Sequence, residues 1–577
     1  MSPKIQILPE SVTQAIAAGE VVERPASIVK ELMENAIDAG SSEVIVELKM
    51  GGLQLIRVID NGEGIDGEEV PRAFERYATS KIEKEDDLFA IHTLGFRGEA
   101  LPSIISVSRT VMKTRTSGAL SGTKAVCEGG EVKEVGETGC PVGTELEIRD
   151  LFYNLPVKRK FLKSIRSEFR GCLHPFLRLS LSYPEISFRL IHDGRLLYEF
   201  PRTESLSVRV EAILGKETFD HLRPIAYEEA GIRLSGFASL PTFSKGNSDG
   251  IYLYVNRRSV KDRMVHKAVM EAYRHVIPAN RYPVVVLMMD LPPSSIDVNV
   301  HPTKAEVKFR DQDRVFHAVV ETLRLYQKQP SGVEESVPET RKDPVSFQMS
   351  YQAHLPSDSH RWNQKEAPWV VRETALSPGW EVDKKIPYRI LGQVQGTYVL
   401  CEGERELIII DQHAAHERIL FEKLKGDYEN RSIPSEKLLM PILIELSVED
   451  SFLLGSLREA LEVLGFDIEA MGERLFALRS VPSIVGQRDP KGVVRAILEE
   501  LSHLKKEERG VEVIHPILIS LACHTAIRAN AVLRREEMEG LVAQLFPFDR
   551  STTCPHGRPI FFILPQEELA KQFRRKR

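Results

Sequence analysis

Two sets of residues in this chain have the types and spacing to do chemistry. The first begins with Glu31 and Asn35, four residues apart in PASIVKELMENAIDAG. On a helix that spacing puts the carboxylate and the carboxamide on one face. An amide oxygen is a hard ligand suited to magnesium, and a carboxylate beside it can take the proton of an attacking water. Asp60 ends the run LIRVID and is followed by Asn61-Gly62-Glu63-Gly64-Ile65. A carboxylate at a strand end can accept a hydrogen bond from an adenine amino group, and glycines at 62 and 64 let backbone come close to the base. Next come Thr79-Ser80-Lys81 and the loop Gly95-Phe96-Arg97-Gly98-Glu99-Ala100-Leu101. A glycine-rich loop with an arginine, opening a helix, presents backbone N–H groups to phosphates. Gly143-Thr144, ahead of a strand, closes the set. Taken singly, each piece reads as a solvated helix face, a turn or a loop. No GxxxxGK[ST] run is present, so this is not a Walker-type site.

The second set lies near the other end. Asp411 ends the apolar run ELIIID, and His413 and Glu417 follow at helical i, i+4 spacing, with Glu422 further along. The order is neither HExxH nor HxxEH, and His416 is a surplus histidine. By itself HAAHE reads equally as an amphipathic helix with exposed polar groups. Two later segments weigh towards metal. SLACHTAIRA places Cys523 at the start of a helix, and TCPHGRP puts Cys554 and His556 two apart in a tight turn. Dispersed Cys, His and carboxylate donors in a reduced compartment suit zinc or manganese. In isolation Cys554 would be a buried thiol and His556 a turn residue.

Particular elements must hold these groups in place. VVERPASIVKELMENAIDAG reads as one helix, with Pro25 in its first turn and Gly40 at its C-terminal end. Its apolar residues Ile28, Val29, Leu32, Met33, Ala36 and Ile37 recur at helical spacing. IYLYVN (251–256), a helical stretch from Lys261 to His275 and the buried run VVVLMMDL follow in βαβ order, which predicts a second α/β domain. Periodicity is lost from about residue 331 to 385, a stretch rich in Pro, Ser, Gln and charge that reads as a flexible, disordered linker. Strand-like runs return from Ile386. The expected division is therefore 1–210, 211–330, a linker at 331–385, and 386–577.

Composition sets outer limits. The 577 residues are 42% hydrophobic and 28% charged, with a net charge of -6, as expected of a multidomain globular chain. That charge neither announces nor excludes nucleic acid, because basic footprints can be local. Such clusters occur at Lys158-Arg159-Lys160, at Arg257-Arg258 with Lys261 and Arg263, and at Arg574–Arg577. No run of 18 apolar residues occurs, which argues against a membrane span. The start, MSPKIQILPESV, lacks the apolar core of a secretory signal. Six scattered cysteines do not make a disulfide framework. The expectation is a reduced, cytoplasmic protein.

In their order and spacing, the four N-terminal motifs resemble the GHKL ATPases, which include gyrase, chaperone and histidine-kinase relatives. IAAGEVVERPASIVKELMENAIDAG, YATSKI, LGFRGEAL, LFYNLPVKRKFL and IDVNVHPTKAEVKF narrow the resemblance to MutL-type mismatch-repair proteins. It implies a mixed α/β fold: a GHKL sandwich, a second α/β domain, a linker, and a C-terminal α/β dimerisation and endonuclease domain. Position by position, Glu31 matches the general base and Asn35 the magnesium ligand. Asp60 matches the adenine reader, joined by Gly62, Gly64 and Thr144. Thr79, Ser80, Lys81 and Gly95, Phe96, Arg97, Gly98, Glu99, Ala100 and Leu101 match the lid over the phosphates of ATP. Lys304 matches a lysine that reaches the γ-phosphate from the second domain. A lysine after the constrained turn His301-Pro302-Thr303 is a point charge suited to that task. Arg263 matches a DNA-touching position, although a helix-surface arginine is the plain alternative.

The C-terminal segment is similar to the endonuclease type of MutL. DQHAxxExxxxE is met from Asp411 to Glu422, and the ACxxAIRA-like and CPHGRP segments match as well. The resemblance implies Asp411, His413, Glu417, Cys523, Cys554 and His556 as zinc or manganese ligands for nicking duplex DNA, with Glu422 in a supporting role. It also implies a homodimer that works with a MutS-type mismatch-recognition protein. A replication sliding-clamp contact is less well matched. Glu436-Lys437-Leu438-Leu439-Met440-Pro441 has Glu where the docking motif has Gln, so a weakened contact and a plain loop both remain open. Two other readings compete: an ATP-dependent matchmaker without nuclease activity, which would lack DQHAxxExxxxE, and a topoisomerase subunit, which would need a catalytic tyrosine.

Overall fold

The computed structural model describes residues 22–327 and 388–573, less 83, 85–92, 96, 230, 279–280, 298–306, 487–488, 504–512, 528–529 and 549–551. Phe96, Lys304 and the 331–385 linker therefore lie outside the described residues.

The expected first helix spans Pro25–Asp38, with Pro25 in its first turn. Gly40 follows at φ 70°, a left-handed conformation that ends a helix without a Cβ clash. Ile28, Val29, Leu32, Met33 and Ala36 are buried along one stripe, and the helix packs against a second one, Ile165–Ser182. Beneath them runs an eight-stranded sheet. Its strands are β1 (Glu43–Lys49), β2 (Leu55–Asp60), β3 (Arg109–Arg115), β4 (Gly122–Glu128), β5 (Glu131–Thr138), β6 (Gly143–Arg149), β7 (Ser187–His192) and β8 (Arg195–Phe200). Their order is β5-β4-β3-β6-β2-β1-β7-β8. All neighbours are antiparallel except β1 and β7. β2 lies beside β6, with Asp60 opposite Thr144, so residues distant in sequence meet at one end of the sheet.

A second, five-stranded sheet consists of β9 (Leu222–Glu229), β10 (Ile232–Ser239), β11 (Ile251–Val255), β12 (Arg258–Val260) and β13 (Val285–Asp290), in the order β12-β11-β13-β10-β9. β11 and β13 are parallel, and the helix Arg263–Tyr273 crosses between them. This is the βαβ order read from the sequence. The helix packs against another, Gln312–Gln327, over a core that includes Val269, Tyr273, Leu287 and Val319.

Contacts group the chain into two compact units, Met1–Lys328 with Glu417–Ala526, and Gln329–His416 with Ile527–Arg577. In the first unit, Glu417–Ala526 adds a three-stranded antiparallel sheet (Ser435–Glu445, Leu475–Pro482, Asp467–Ala470) and three helices, Val448–Val463, Pro490–His503 and Ile514–Thr525. The second unit holds a four-stranded antiparallel sheet of Arg389–Val394, Tyr398–Glu402, Glu406–Asp411 and Phe561–Pro565. The helix Gln412–Glu429 continues directly from that sheet's third strand. Among the described residues, no helix is long and apolar enough to cross a membrane. All six cysteines are free thiols.

Candidate functional site

The Pro25–Asp38 helix carries the first site. Glu31 keeps about a fifth of its side chain exposed and lies 3.5 Å from the Lys30 ammonium. Lys30 also pairs with buried Glu34 at 3.1 Å. Burial pulls the Lys30 ammonium down, but the charges of Glu34 and Glu31 outweigh it and hold its pKa above the usual value.

Asn35 Oδ1 accepts a 2.9 Å hydrogen bond from Lys81 Nζ. The same ammonium sits 2.6 Å from Asp38 Oδ2. Asp38 also accepts the backbone N–H groups of Leu94 (2.8 Å) and Gly95 (2.9 Å). Three sequence-distant pieces thus converge on this end of the helix: the Thr79–Lys81 segment, the Gly95 loop and the helix itself. A Cβ at Gly95 would stand 3.0 Å from Lys81 Nζ and 3.3 Å from Asn35 Oδ1, so a larger residue would press on both side-chain ends. The corner is rich in oxygen and already balances one positive charge. That donor set fits a hard divalent cation such as magnesium.

The Thr79–Lys81 segment and the Gly95 loop are joined by backbone. Tyr77 N donates to Gly98 O at 3.1 Å. Gly98 has φ 62°, and a Cβ there would lie 2.4 Å from Ala78 O. Thr79 Oγ1 accepts from Lys81 N at 3.2 Å, and Ser80 is exposed. Arg97 and Glu99 are half-buried, and the helix Ala100–Ser106 opens directly after Glu99, with Leu101 in its first turn.

Asp60 sits at the end of β2. Its Oδ1 accepts from Gly62 N at 2.8 Å. Burial pushes its carboxyl up to about 6, against hydrogen bonds from Gly62 and Thr144 that pull it down. At neutral pH it remains mostly an acceptor. Gly62 lies against Ala39, with a notional Cβ 2.7 Å from Ala39 O, so this corner adjoins the end of the first helix. Gly64 has φ 73° and passes close to Arg115 O. Thr114 ties the corner together: its Oγ1 accepts from Ile65 N (2.8 Å) and lies 3.0 Å from Thr144 Oγ1.

Two residues here escaped the sequence reading. Asp38 continues the Glu31/Asn35 face at i+7, so its spacing was a usable signal. Thr114 had none, because a threonine in a strand is ordinary. Arg263 is exposed in the first turn of its helix, whose N-cap is the Asp262 side chain accepting from Val265 N at 2.9 Å.

Of the C-terminal donors, His413, Cys554 and His556 belong to one unit and Glu417 and Cys523 to the other. Glu417 is only 1% exposed. His413 Nδ1 is 2.8 Å from Ile527 O. A carbonyl only accepts, so Nδ1 carries the hydrogen and Nε2 of the neutral ring keeps its lone pair for a metal. The surplus His416 accepts from Ile527 N at 2.9 Å, which fixes the same residue from its other side. Nitrogen, carboxylate and sulfur donors are of the kind that suits zinc.

Two expectations read differently in the structure. Cys523 lies near the C-terminal end of the helix Ile514–Thr525 rather than at a helix start, because the apolar run IHPILISLA that precedes it is itself helical. Asp411 is engaged as a cap: its Oδ1 accepts from His413 N (2.9 Å) and Ala414 N (3.0 Å) at the start of the helix that carries His413 and Glu417. Glu422 pairs with Arg418 at 2.6 Å. Leu439 and Met440, in the clamp-like segment, are exposed on the strand Ser435–Glu445.

The sheet and the glycine-rich nucleotide corner define an ATPase domain of the GHKL class. Residues 20–134 match the family of histidine kinase-, DNA gyrase B- and HSP90-like ATPases. Residues 210–326 match the DNA mismatch repair protein C-terminal domain, and 391–533 the MutL C-terminal dimerisation domain. Along its whole length the chain is 38% identical over 600 residues to a DNA mismatch repair protein MutL of Geotalea daltonii, covering 100% of both. It is 39% identical over 610 residues to the MutL of Geobacter sulfurreducens, again covering 100% of both. A solved Aquifex aeolicus MutL ATPase domain complexed with ADP is 30% identical, spans 52% of this chain and 98% of its own, and superposes with a TM-score of 0.38. The chain belongs to the MutL family of DNA mismatch repair proteins.

Proposed function

We propose that this protein is an ATP-regulated, metal-dependent endonuclease that nicks duplex DNA during mismatch repair, acting as a homodimer with a MutS-type recognition protein. The observation that carries the nuclease reading is the DQHAxxExxxxE run from Asp411 to Glu422, with His413 turned by Ile527 O so that its Nε2 is left for a metal. His413, Glu417, Cys523, Cys554 and His556 would hold zinc or manganese, and Asp411 holds the first turn of the helix in register with them. When bound, such a metal supplies Lewis-acid stabilisation of the phosphodiester and a more acidic water. His413 is oriented for this by Ile527, and the buried carboxylate balances cationic charge.

At the other site, Glu31 would take the proton of the water attacking ATP, and Asn35 would hold magnesium. Asp60 accepts from the adenine amino group. Lys81, the Gly95 loop with Phe96, and Lys304 contact the phosphates. Exposed Arg263 contacts DNA, and the 331–385 segment links the ATPase region (1–210 and 211–330) to the C-terminal domain. The exposed Leu439 and Met440 would meet a sliding clamp. Such a protein works in the cytoplasm on the chromosome.

The test is a nicking assay on supercoiled DNA with ATP, manganese and clamp each omitted in turn, using wild type, Glu417→Gln and Glu31→Ala. Metal-dependent nicking that Glu417→Gln loses supports the reading. Glu31→Ala should bind ATP without turning it over. Glu417→Gln nicking at the wild-type rate refutes the nuclease assignment. Robust ATP turnover with no nicking under any condition makes the protein a matchmaker.

A further inference from the structure

Arg258, the first residue of β12 in the second sheet, is only 7% exposed. Its guanidinium reaches into the nucleotide region. Nη1 donates to Leu94 O at 3.1 Å, and Nη2 to Thr93 O at 2.9 Å. From the opposite side, Asp38 accepts the N–H groups of Leu94 and Gly95 at 2.8 and 2.9 Å. The Thr93–Gly95 backbone is thus gripped by its carbonyls from one sheet and by its amides from the first helix. The grip ends at Gly95, where a Cβ would be 3.3 Å from Asn35 Oδ1. The Arg258 charge is also felt at Lys30, where it opposes the upward pull of the neighbouring glutamates.

A guanidinium largely removed from water is costly unless its donors are well used. Two successive carbonyls match its rigid fork, whereas a lysine offers one ammonium and cannot bridge both with the same geometry. Arg258 belongs to neither the glycine-rich loops nor the helix that define the ATP site. It lies five residues before Arg263, on the strand that leads into the Arg263–Tyr273 helix.

We propose that Arg258 is a positioning residue of the ATP site: it fixes the Thr93–Gly95 backbone beside Asn35, so that magnesium–nucleotide binding depends on the placement of β12 and the helix that follows it. The inference rests on the ATP-site reading above. Arg258 touches neither phosphate nor metal and acts through Gly95. Its loss should therefore weaken the binding of magnesium–ATP more than it slows the turnover of bound ATP.

The experiment uses the full-length protein as wild type, Arg258→Met, Arg258→Lys and, as a control for lost surface charge, Arg257→Met. Steady-state ATP turnover is measured across ATP and across magnesium concentrations, with hydrogen exchange at Leu94 and Gly95 and a melting temperature for each variant. Expected are a roughly tenfold rise in KM for magnesium–ATP and in the half-saturating magnesium concentration, with kcat changed less than threefold. Exchange should quicken at Leu94 and Gly95, and Arg258→Lys should resemble Arg258→Met. Arg257→Met should behave as wild type. A folded Arg258→Met with wild-type KM, magnesium dependence and exchange overturns the proposal. So does full retention of these values by Arg258→Lys, which decides the matter if Arg258→Met does not fold. Failure of wild type itself to bind ATP would strike the ATP-site reading instead.

Discussion

Replacing Asp38 by alanine tests whether the nucleotide corner is assembled as described. The carboxylate accepts three hydrogen bonds, from Leu94 N at 2.8 Å, Gly95 N at 2.9 Å and Lys81 Nζ at 2.6 Å. Its side chain is 6% exposed. Hydrogen bonds to a charged group contribute about 1.5–3 kcal/mol each, but they are not additive, and freed donors here recover some water. A net loss of about 2–3 kcal/mol follows, roughly a 30- to 140-fold change in an equilibrium constant. If Asp38 holds the Gly95 loop and Lys81 where nucleotide needs them, that loss falls on ATP binding. Calorimetric titration with a non-hydrolysable ATP analogue and magnesium measures it, with a melting curve to show that the variant is folded. Asp38→Asn keeps one side-chain oxygen as an acceptor and loses the ion pair, so it should fall between wild type and alanine. A folded Asp38→Ala that binds the analogue within twofold of wild type refutes the reasoning.

Two further outcomes are expected. Burial raises the Asp60 carboxyl from its usual 3.8 to about 6, so adenine binding should weaken as pH falls through 6, by about tenfold at pH 5, and Asp60→Asn should abolish this dependence. The sign for folding is opposite: the folded state holds this proton more tightly than the unfolded chain, so Asp60's contribution to stability falls as pH rises from about 4 to about 6. At the C-terminal site, Glu417→Gln should lower metal content measured by elemental analysis to less than half, because Glu417 is the buried carboxylate of the proposed ligand set. A chelator should lower the melting temperature of wild type but not of the variant, and equal metal content in the two proteins would remove Glu417 from the ligand set.

Much of the architecture was legible because it follows from short-range patterns. The 3.6-residue period and the flanking Pro25 and Gly40 marked the first helix. The apolar run at 251–255, a helical period and then VVVLMMDL marked the crossover between β11 and β13, since a buried parallel pair needs continuous apolar strands and a covering helix. Cys523 was misplaced on its helix because IHPILISLA is uniformly apolar and offers no face from which to read a boundary. The sequence marked Asp411 as a carboxylate at a strand end, from which its role as a helix cap was not separable from that of a ligand. Both use a carboxylate at the junction of a strand and a helix.

By itself the sequence determined which elements form, the chemistry each motif can carry, and the family. Glu31 and Asn35 share a face because the helix period is set within a few residues. The tertiary structure alone decided who meets whom. Asp38 binds the backbone of Leu94 and Gly95 across more than 50 residues, and Arg258 binds the carbonyls of Thr93 and Leu94 across more than 160. Every residue has a carbonyl, and every one except proline an amide N–H, so a partner that recognises only backbone leaves no side-chain signature at the other end. The same holds for the C-terminal donors. His413 is oriented by the carbonyl of Ile527, more than 100 residues away, and nothing in the sequence around Ile527 marks that contact.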